Sequence, residues 1–318
     1  MYRRLLVPLD GSELSETVLP YATETAGRLD LDITLIHVRK PEKGEGSPLH
    51  ESYVRYKATV AKKKVEEVWQ RFGLDPAKKS LDVRGELVSG YPAEQIVRYA
   101  EENGVDLILM ATHGRSGIKR WILGSVADKV LQSSTVPVWL INTETAEGVA
   151  YEKWPKRSII VPLDGSQLAE KVLPHVEAMA KQRSIEPMDV ILVHVTEPVI
   201  PLTYYSPSAR VETAAGIKHV MPEDYERELL VKQKRFATEY LDYMAAQLKK
   251  KYPHVQAKVL EGDPAREIID FAENLPFSII VMSTHARGGM GRWAYGSVAA
   301  KLLQNVPRPI LLVRPKSQ

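Results

Sequence analysis

The 318-residue chain contains no cysteine. That excludes disulfide cross-links, thiolate catalysis and Cys-ligated zinc, and it fits a reducing compartment. The chain also lacks an apolar run long enough to cross a bilayer, and the apolar part of its opening, MYRRLLVPLDGS, is too short for a secretory signal. The expectation is a soluble, cytoplasmic protein with no membrane partner. An excess of one charge is missing too: 43 Lys and Arg are interleaved with 40 Asp and Glu, for a formal net charge of +3. A broad nucleic-acid footprint is therefore not indicated. The run Lys62, Lys63, Lys64 is followed by Glu66 and Glu67 and reads as a solvated helix face. Absent as well are the Gly-x-x-x-x-Gly-Lys-Ser/Thr loop, a Gly-x-Gly-x-x-Gly after the first strand, a nucleophile elbow and a metal-ligand cluster. An efficient NTPase needs a metal-holding acid and a group that positions water. Neither is identifiable, so binding is expected ahead of turnover.

What the chain does have is itself, twice. RRLLVPLDGSELSETVLP from Arg3 returns as RSIIVPLDGSQLAEKVLP from Arg157, and TLIHV at Thr34 is answered by ILVHV at Ile191. GYPAEQI at Gly90 is matched by GDPAREI at Gly262, and THGRSGIKRWILGSVADKVL at Thr112 by THARGGMGRWAYGSVAAKLL at Thr284. The offset grows from 154 residues (Asp10 to Asp164) to 172 (Gly124 to Gly296), so the second copy carries about 18 extra residues, most of them between Val195 and Gly262. Two domains of one fold are expected, 1–143 and 155–318, joined by a polar linker, 144–154.

Within each copy, short β-rich runs alternate with helical periodicity, as in LLVP, ITLIHV, LDVRGELV, VDLILMAT and VPVWLI of the first. That pattern specifies an α/β fold with a parallel sheet covered by helices. In the first helix, Leu14, Val18, Ala22, Thr25 and Leu29 share a face after a cap at Ser12. Pro20 and Pro174 interrupt the two first helices at matched places, and a shared kink is expected. Pro92 and Pro264 stand where a helix's first turn tolerates proline, and Asn103-Gly104 is a helix stop.

Open parallel sheets bind ligands beyond the carboxyl ends of their strands, where strand order reverses. Two loops with special chemistry follow the first and fourth strands: Asp10-Gly11-Ser12, and the segment from Thr112 to Gly124-Ser125. Glycine allows close backbone approach, and the first N–H groups of a helix accept an anion. Gly114, Gly124, Ser125 and Val126 thus form a candidate phosphate cradle, with Arg115, Lys119 and Arg120 as countercharge; taken alone, Gly-Ser before a helix also reads as a simple cap. His37, His113, His194 and His285 form two repeated pairs with no second carboxylate or imidazole at ligand spacing, so structural roles are expected. Trp121 and Trp293, in matched loops, read as packing anchors. The added stretch EPVIPLTYYSPSARVETAAGIKHVMPEDYE reads as a surface loop rather than a lid.

Taken together, VPLDGS, the HV pairs and GSVA resemble the universal stress protein family over nearly the whole of both copies. Its nucleotide-binding members carry Gly, two residues, Gly, nine residues, then Gly and Ser or Thr. Here the first copy has Ala111, Gly114, Gly124 and Ser125; the second has Ser283, Ala286, Gly296 and Ser297, followed by Val298. The resemblance implies Rossmann-like domains of the adenine nucleotide alpha hydrolase-like kind, each with five parallel strands. It also implies an internal pseudo-dimer in which the fifth strands, PVWLI at Pro137 and PILLV at Pro309, meet. A further homodimer of such chains is left open. For members that bind ATP, it implies that the acid after the first strand holds the adenosine end and that the residue after the second strand offers its main chain to adenine. Those positions are Asp10 with Val38, and Asp164 with Val195. For Asp10 a turn-forming or capping role stays equally open.

The reading that follows is a stress-response protein that binds ATP or another adenine nucleotide, with accompanying magnesium undecided. The first copy is the better-equipped site, because Ala286 and Ser283 add a Cβ where a backbone would pass a phosphate. The alternatives are an interaction protein of the same fold that binds no nucleotide, and a slow ATPase.

Overall fold

The computed structural model describes residues 2–40, 48–112, 123–142, 150–154, 157–181, 187–197, 210–213, 216–219, 222–284 and 295–314. The first copy runs β1 (Arg4–Pro8), α1 (Glu13–Glu16), α2 (Leu19–Leu29), β2 (Asp32–Arg39), α3 (Pro48–Arg71), β3 (Val83–Ser89), α4 (Pro92–Glu102), β4 (Leu107–Ala111), α5 (Ser125–Ser133), β5 (Val138–Ile141). The second runs β6 (Ser158–Pro162), α6 (Gln167–Glu170), α7 (Leu173–Ala180), β7 (Asp189–Thr196), β8 (Arg210–Thr213), β9 (Gly216–His219), α8 (Pro222–Lys249), β10 (Val255–Glu261), α9 (Pro264–Glu273), β11 (Ser278–Ser283), α10 (Ser297–Asn305), β12 (Ile310–Val313).

Each copy forms five parallel strands, in the orders β3-β2-β1-β4-β5 and β10-β7-β6-β11-β12. The order reverses beside the first strand of each copy, which opens a crevice there. β5 and β12 then pair antiparallel, with Leu311 opposite Trp139, and join the halves into one ten-stranded sheet. The fifth strands therefore meet as the resemblance implied. Joining them removes two sheet edges that would otherwise present unpaired backbone groups. One face of the sheet packs α2, α3, α7 and α8 in a core that includes Leu5, Val54, Trp139, Val161 and Leu241. The other packs α4, α5, α9 and α10 around Leu6, Ile96, Val130, Ile160 and Leu302. Central strands buried on both faces explain the near-continuous apolar runs LILMA and SIIVMS.

Two local expectations need correction. Pro20 and Pro174 do not kink a continuous helix; each lies in the first turn of a new one, α2 or α7, after Val18 or Val172 as N-cap. Without an N–H, proline cannot bond back to the preceding turn, so the helix restarts instead of bending. The stretch added to the second copy is not wholly irregular: β8 and β9 form a two-stranded antiparallel sheet within it, paired from Arg210 opposite His219 to Thr213 opposite Gly216. The local signal is the β-branched and apolar residues within Arg210–Thr213 and Gly216–His219. Lys62, Lys63 and Lys64 are exposed on α3, as the charge pattern indicates.

The seam between the halves carries its own chemistry. In the segment leading into the second copy, Tyr151 and Trp154 are buried; Tyr151 stacks on Tyr21 with ring centroids 4.3 Å apart. Beside them Glu24, 1% exposed, accepts from Arg28 Nε at 2.6 Å, from Arg71 Nη2 at 2.5 Å and from Arg157 Nη2 at 3.2 Å. Arg157 also donates to the Tyr151 carbonyl at 3.0 Å. One carboxylate of the first copy thus holds the arginine that opens the second.

Candidate functional site

Both crevices are open clefts at the carboxyl ends of the strands, with cavity volumes of about 390 Å³ in the first copy and 640 Å³ in the second. These volumes lie in the range of small-molecule sites. Their walls repeat: Leu9 and Leu163, Asp10 and Asp164, Val38 and Val195, Ile96 and Ile268, Met110 and Met282, Val126 and Val298. Apolar side chains from both sheet and helices thus face a rim of polar groups, a surface that suits a flat base carrying a charged tail.

The turn after the first strand is built the same way twice. Gly11 and Gly165 adopt φ of +86° and +83°, a conformation that L side chains rarely take. Asp10 Oδ1 accepts from the Ser12 N–H at 2.9 Å and the Ser12 hydroxyl at 2.6 Å, and Asp164 Oδ1 from the Ser166 N–H at 2.9 Å. Ser12 and Ser166 then cap α1 and α6. The turn-forming role is therefore present in both copies, and the same aspartates line the clefts.

The histidines near the end of the second strand brace this turn. His37 Nδ1 lies 2.9 Å from the Leu9 carbonyl and His194 Nδ1 2.8 Å from that of Leu163, which holds the ends of neighbouring strands together. The structural role expected for this pair is what the geometry gives. The sequence missed that α3 brings a second imidazole alongside: the His50 ring lies 4.9 Å from that of His37. Burial holds His37 below its ordinary pKa; the Leu9 carbonyl opposes this, the His50 ring adds to it, and Asp10 opposes it. Neutral imidazole is thus the resting form. Among the described residues no group of three or more His, Asp or Glu is placed to hold a metal ion.

At the far side of each cleft a helix begins on glycine. Gly124 (φ −63°, ψ 148°) and Gly296 (φ −57°, ψ 153°) are the N-caps of α5 and α10, and neither supplies a side-chain acceptor. Their carbonyls already take the first helical bonds, from Asp128 and Ala300 N–H, both at 2.9 Å. The first-turn N–H groups have no acceptor within the helix and face where an anion is favoured by the dipole. Val126 and Ala127 line the first cleft, with Gly124 and Ser125 immediately before them; Gly296, Ser297 and Val298 all line the second. Ala111 and Ser283 lie at the ends of β4 and β11 and line their clefts. Asp10, Val38, Ala111 and Val126 therefore meet in one cleft, and Asp164, Val195, Gly296, Ser297 and Val298 in the other.

A model of the universal stress protein family matches residues 1–142 and again 156–314. The chain belongs to that family. A universal stress protein of Bacillus subtilis is 30% identical over 147 residues, covering 44% of this chain and 99% of its own length. One of Mycolicibacterium smegmatis, 22% identical, spans 98% of this chain and 97% of its own length, so the similarity extends over both copies. Among solved structures, a universal stress protein of Archaeoglobus fulgidus covers 98% of each chain at 20% identity with a TM-score of 0.58, a likeness of fold.

Gly114, Ala286, Arg115, Lys119, Arg120, His113, His285, Trp121 and Trp293, the middle of the family's glycine loop, lie outside the described residues. The clefts also contain residues that motif reading passed over. Arg39, Lys40 and His50 line the first, and Glu197, Thr284 and Tyr295 the second. The charge difference was legible, since the HV motif continues as Arg-Lys in one copy and Thr-Glu in the other. His50 and Tyr295 carried no such signal.

Proposed function

We propose that this universal stress protein binds an adenine nucleotide, ATP or a close relative, in its paired clefts, and that occupancy acts in the cytoplasm as a signal or a stabilising input. The observation that carries this reading is the repeated cleft at the strand-order switch. Each has an aspartate after the first strand, a valine at the end of the second, and a helix that opens on Gly-Ser and whose first turn lines the cleft. The apolar walls suit the base, the aspartate the ribose hydroxyls, and the helix terminus the phosphates. Magnesium would neutralise the phosphate tail.

The test is to denature purified protein and measure released nucleotide per chain by mass spectrometry, then titrate ATP into wild type and Gly124→Asp. Aspartate is a favoured N-cap, so the variant keeps α5 while placing a carboxylate in the cradle. Loss of charge-assisted hydrogen bonds worth about 3 kcal/mol predicts roughly 100-fold weaker binding in the first cleft. Unchanged affinity there would overturn the cradle. Turnover with magnesium that disappears in Asp10→Ala would replace the binding reading with a slow ATPase.

A second reading, an interaction protein, is favoured by one observation. Leu49 and Tyr56 on α3 are 72% and 64% exposed, and Phe236 and Tyr243 on α8 repeat them at 64% and 62%. Matched exposed apolar residues suit contact with another protein surface. Absence of binding to ATP, ADP and AMP, together with association that Tyr56→Ser and Tyr243→Ser abolish, would establish it.

A further inference from the structure

The clefts repeat each other along their walls, but the chain entering the second cradle departs from the symmetry. Tyr295 immediately precedes Gly296 and lines the second cleft. Its hydroxyl crosses the seam between the halves and donates to Asp128 Oδ1 at 2.9 Å, with the Asp128 carbonyl oxygen at 3.3 Å. Asp128 stands in the first turn of α5, the helix whose N-terminus borders the first cleft, and its other oxygen accepts from Gln132 Nε2 at 2.8 Å. The counterparts by repeat are Leu123 for Tyr295 and Ala300 for Asp128. Neither has a polar side-chain atom, so the link is made in one direction only.

We propose that Tyr295 is a positioning residue through which the first cleft sets the anion cradle of the second; this rests on the nucleotide-binding reading. An anion at the N-terminus of α5 sits on the same helical turn as the Asp128 carboxylate. Its negative potential strengthens the hydrogen bond that the tyrosine donates to that carboxylate, since a charge-assisted bond grows with the charge it answers. Burial and Asp128 both raise the Tyr295 pKa, so the hydroxyl remains a donor. Tyr295 is covalently joined to Gly296, so fixing its ring fixes the entry to α10 and lowers the ordering cost of binding there. The coupling is positive, and by linkage it runs equally in reverse. A single hydrogen bond places its size at the low end of site-to-site couplings, about fivefold in affinity.

The experiment is calorimetric titration of ATP into the full chain as wild type, Asp10→Ala, Tyr295→Phe, Asp128→Asn, and the two double variants that add Asp10→Ala to each of the last two; Asp10→Ala weakens the first cleft without placing a charge at the N-terminus of α5. The second cleft should bind about fivefold more tightly in wild type than in Asp10→Ala. In the Tyr295→Phe and Asp128→Asn backgrounds, disabling the first cleft should leave the second unchanged. Asp128→Asn keeps an acceptor for the hydroxyl, so a contact that merely props up the fold would survive it; loss of coupling in this variant identifies the charge as the transmitter. Two nucleotides bound independently in wild type, or coupling that persists in Tyr295→Phe, would overturn this proposal and leave the binding reading standing. No binding of ATP to any chain would overturn both.

Discussion

Glu24 is the most consequential single charge at the seam, and its removal has a calculable outcome. Glu24→Gln preserves the side chain's shape and deletes the carboxylate shared by Arg28, 3% exposed, and Arg157, 4% exposed. Arg71 is 41% exposed and can return its guanidinium to water, so it adds little to the loss. Breaking a buried pair costs about 3–5 kcal/mol, because the remaining ion keeps its desolvation penalty after its partner's charge is gone. With one partner able to rehydrate, about 3–4 kcal/mol is expected, a fall in Tm of roughly 10 °C. Differential scanning calorimetry and urea unfolding followed by tryptophan emission measure this, since Trp139 and Trp154 are buried at the same seam. Adding Arg157→Met to Glu24→Gln should recover part of the loss, because an apolar side chain needs no counter-ion. A Glu24→Gln Tm within about 2 °C of wild type would refute the reasoning and mark the cluster as balanced by solvent.

Other positions in the structure respond to perturbation in the same calculable way. His175 Nδ1 lies 2.7 Å from the Tyr2 hydroxyl across the seam, and burial holds its pKa down at about 4. The unfolded chain therefore takes up the proton first. Stability should be intact above about pH 6.5 and decline as pH falls toward 4, by up to about 3 kcal/mol from this group, a slope that His175→Phe flattens in urea titrations across that window. Gly85 in β3 has no room for a methyl: a Cβ there would lie 2.5 Å from the Val54 carbonyl oxygen, main chain of α3. Gly85→Ala should cost about 2 kcal/mol by pushing α3 off the sheet, whereas Gly73→Ala, with open space but φ of +69°, should cost only its backbone strain, about 1 kcal/mol. Equal losses in the two variants, measured by urea unfolding, would sink the packing argument.

The features legible in the sequence are those fixed by neighbours along the chain. The duplication needs no structure to see, and strand and helix alternate because apolar spacing and caps act locally. Asp10-Gly11-Ser12 announces its turn because the positive φ at Gly11 and the aspartate's bond to Ser12 involve only adjacent residues. Pro20 shows where that reading ends: the missing N–H was visible, but the restart of the helix after Val18, in place of a bend, came only from the folded chain.

Tertiary structure decided what depends on distant partners. No local pattern marks Glu24 as the anchor for Arg157, 133 residues away, or His50 as the neighbour of His37. Nor could spacing reveal that Tyr295 reaches Asp128, because each side chain alone reads as an ordinary surface polar group. The resemblance of the whole chain, not any residue pattern, foretold that the fifth strands meet; the register of Trp139 against Leu311 came only from their pairing. Sequence set the two copies and the chemistry available to each cleft, since these follow from composition and short-range geometry. The seam, and the contacts by which one copy touches the site of the other, were decided by folding, because burial and electrostatic partnership exist only once distant residues are brought together.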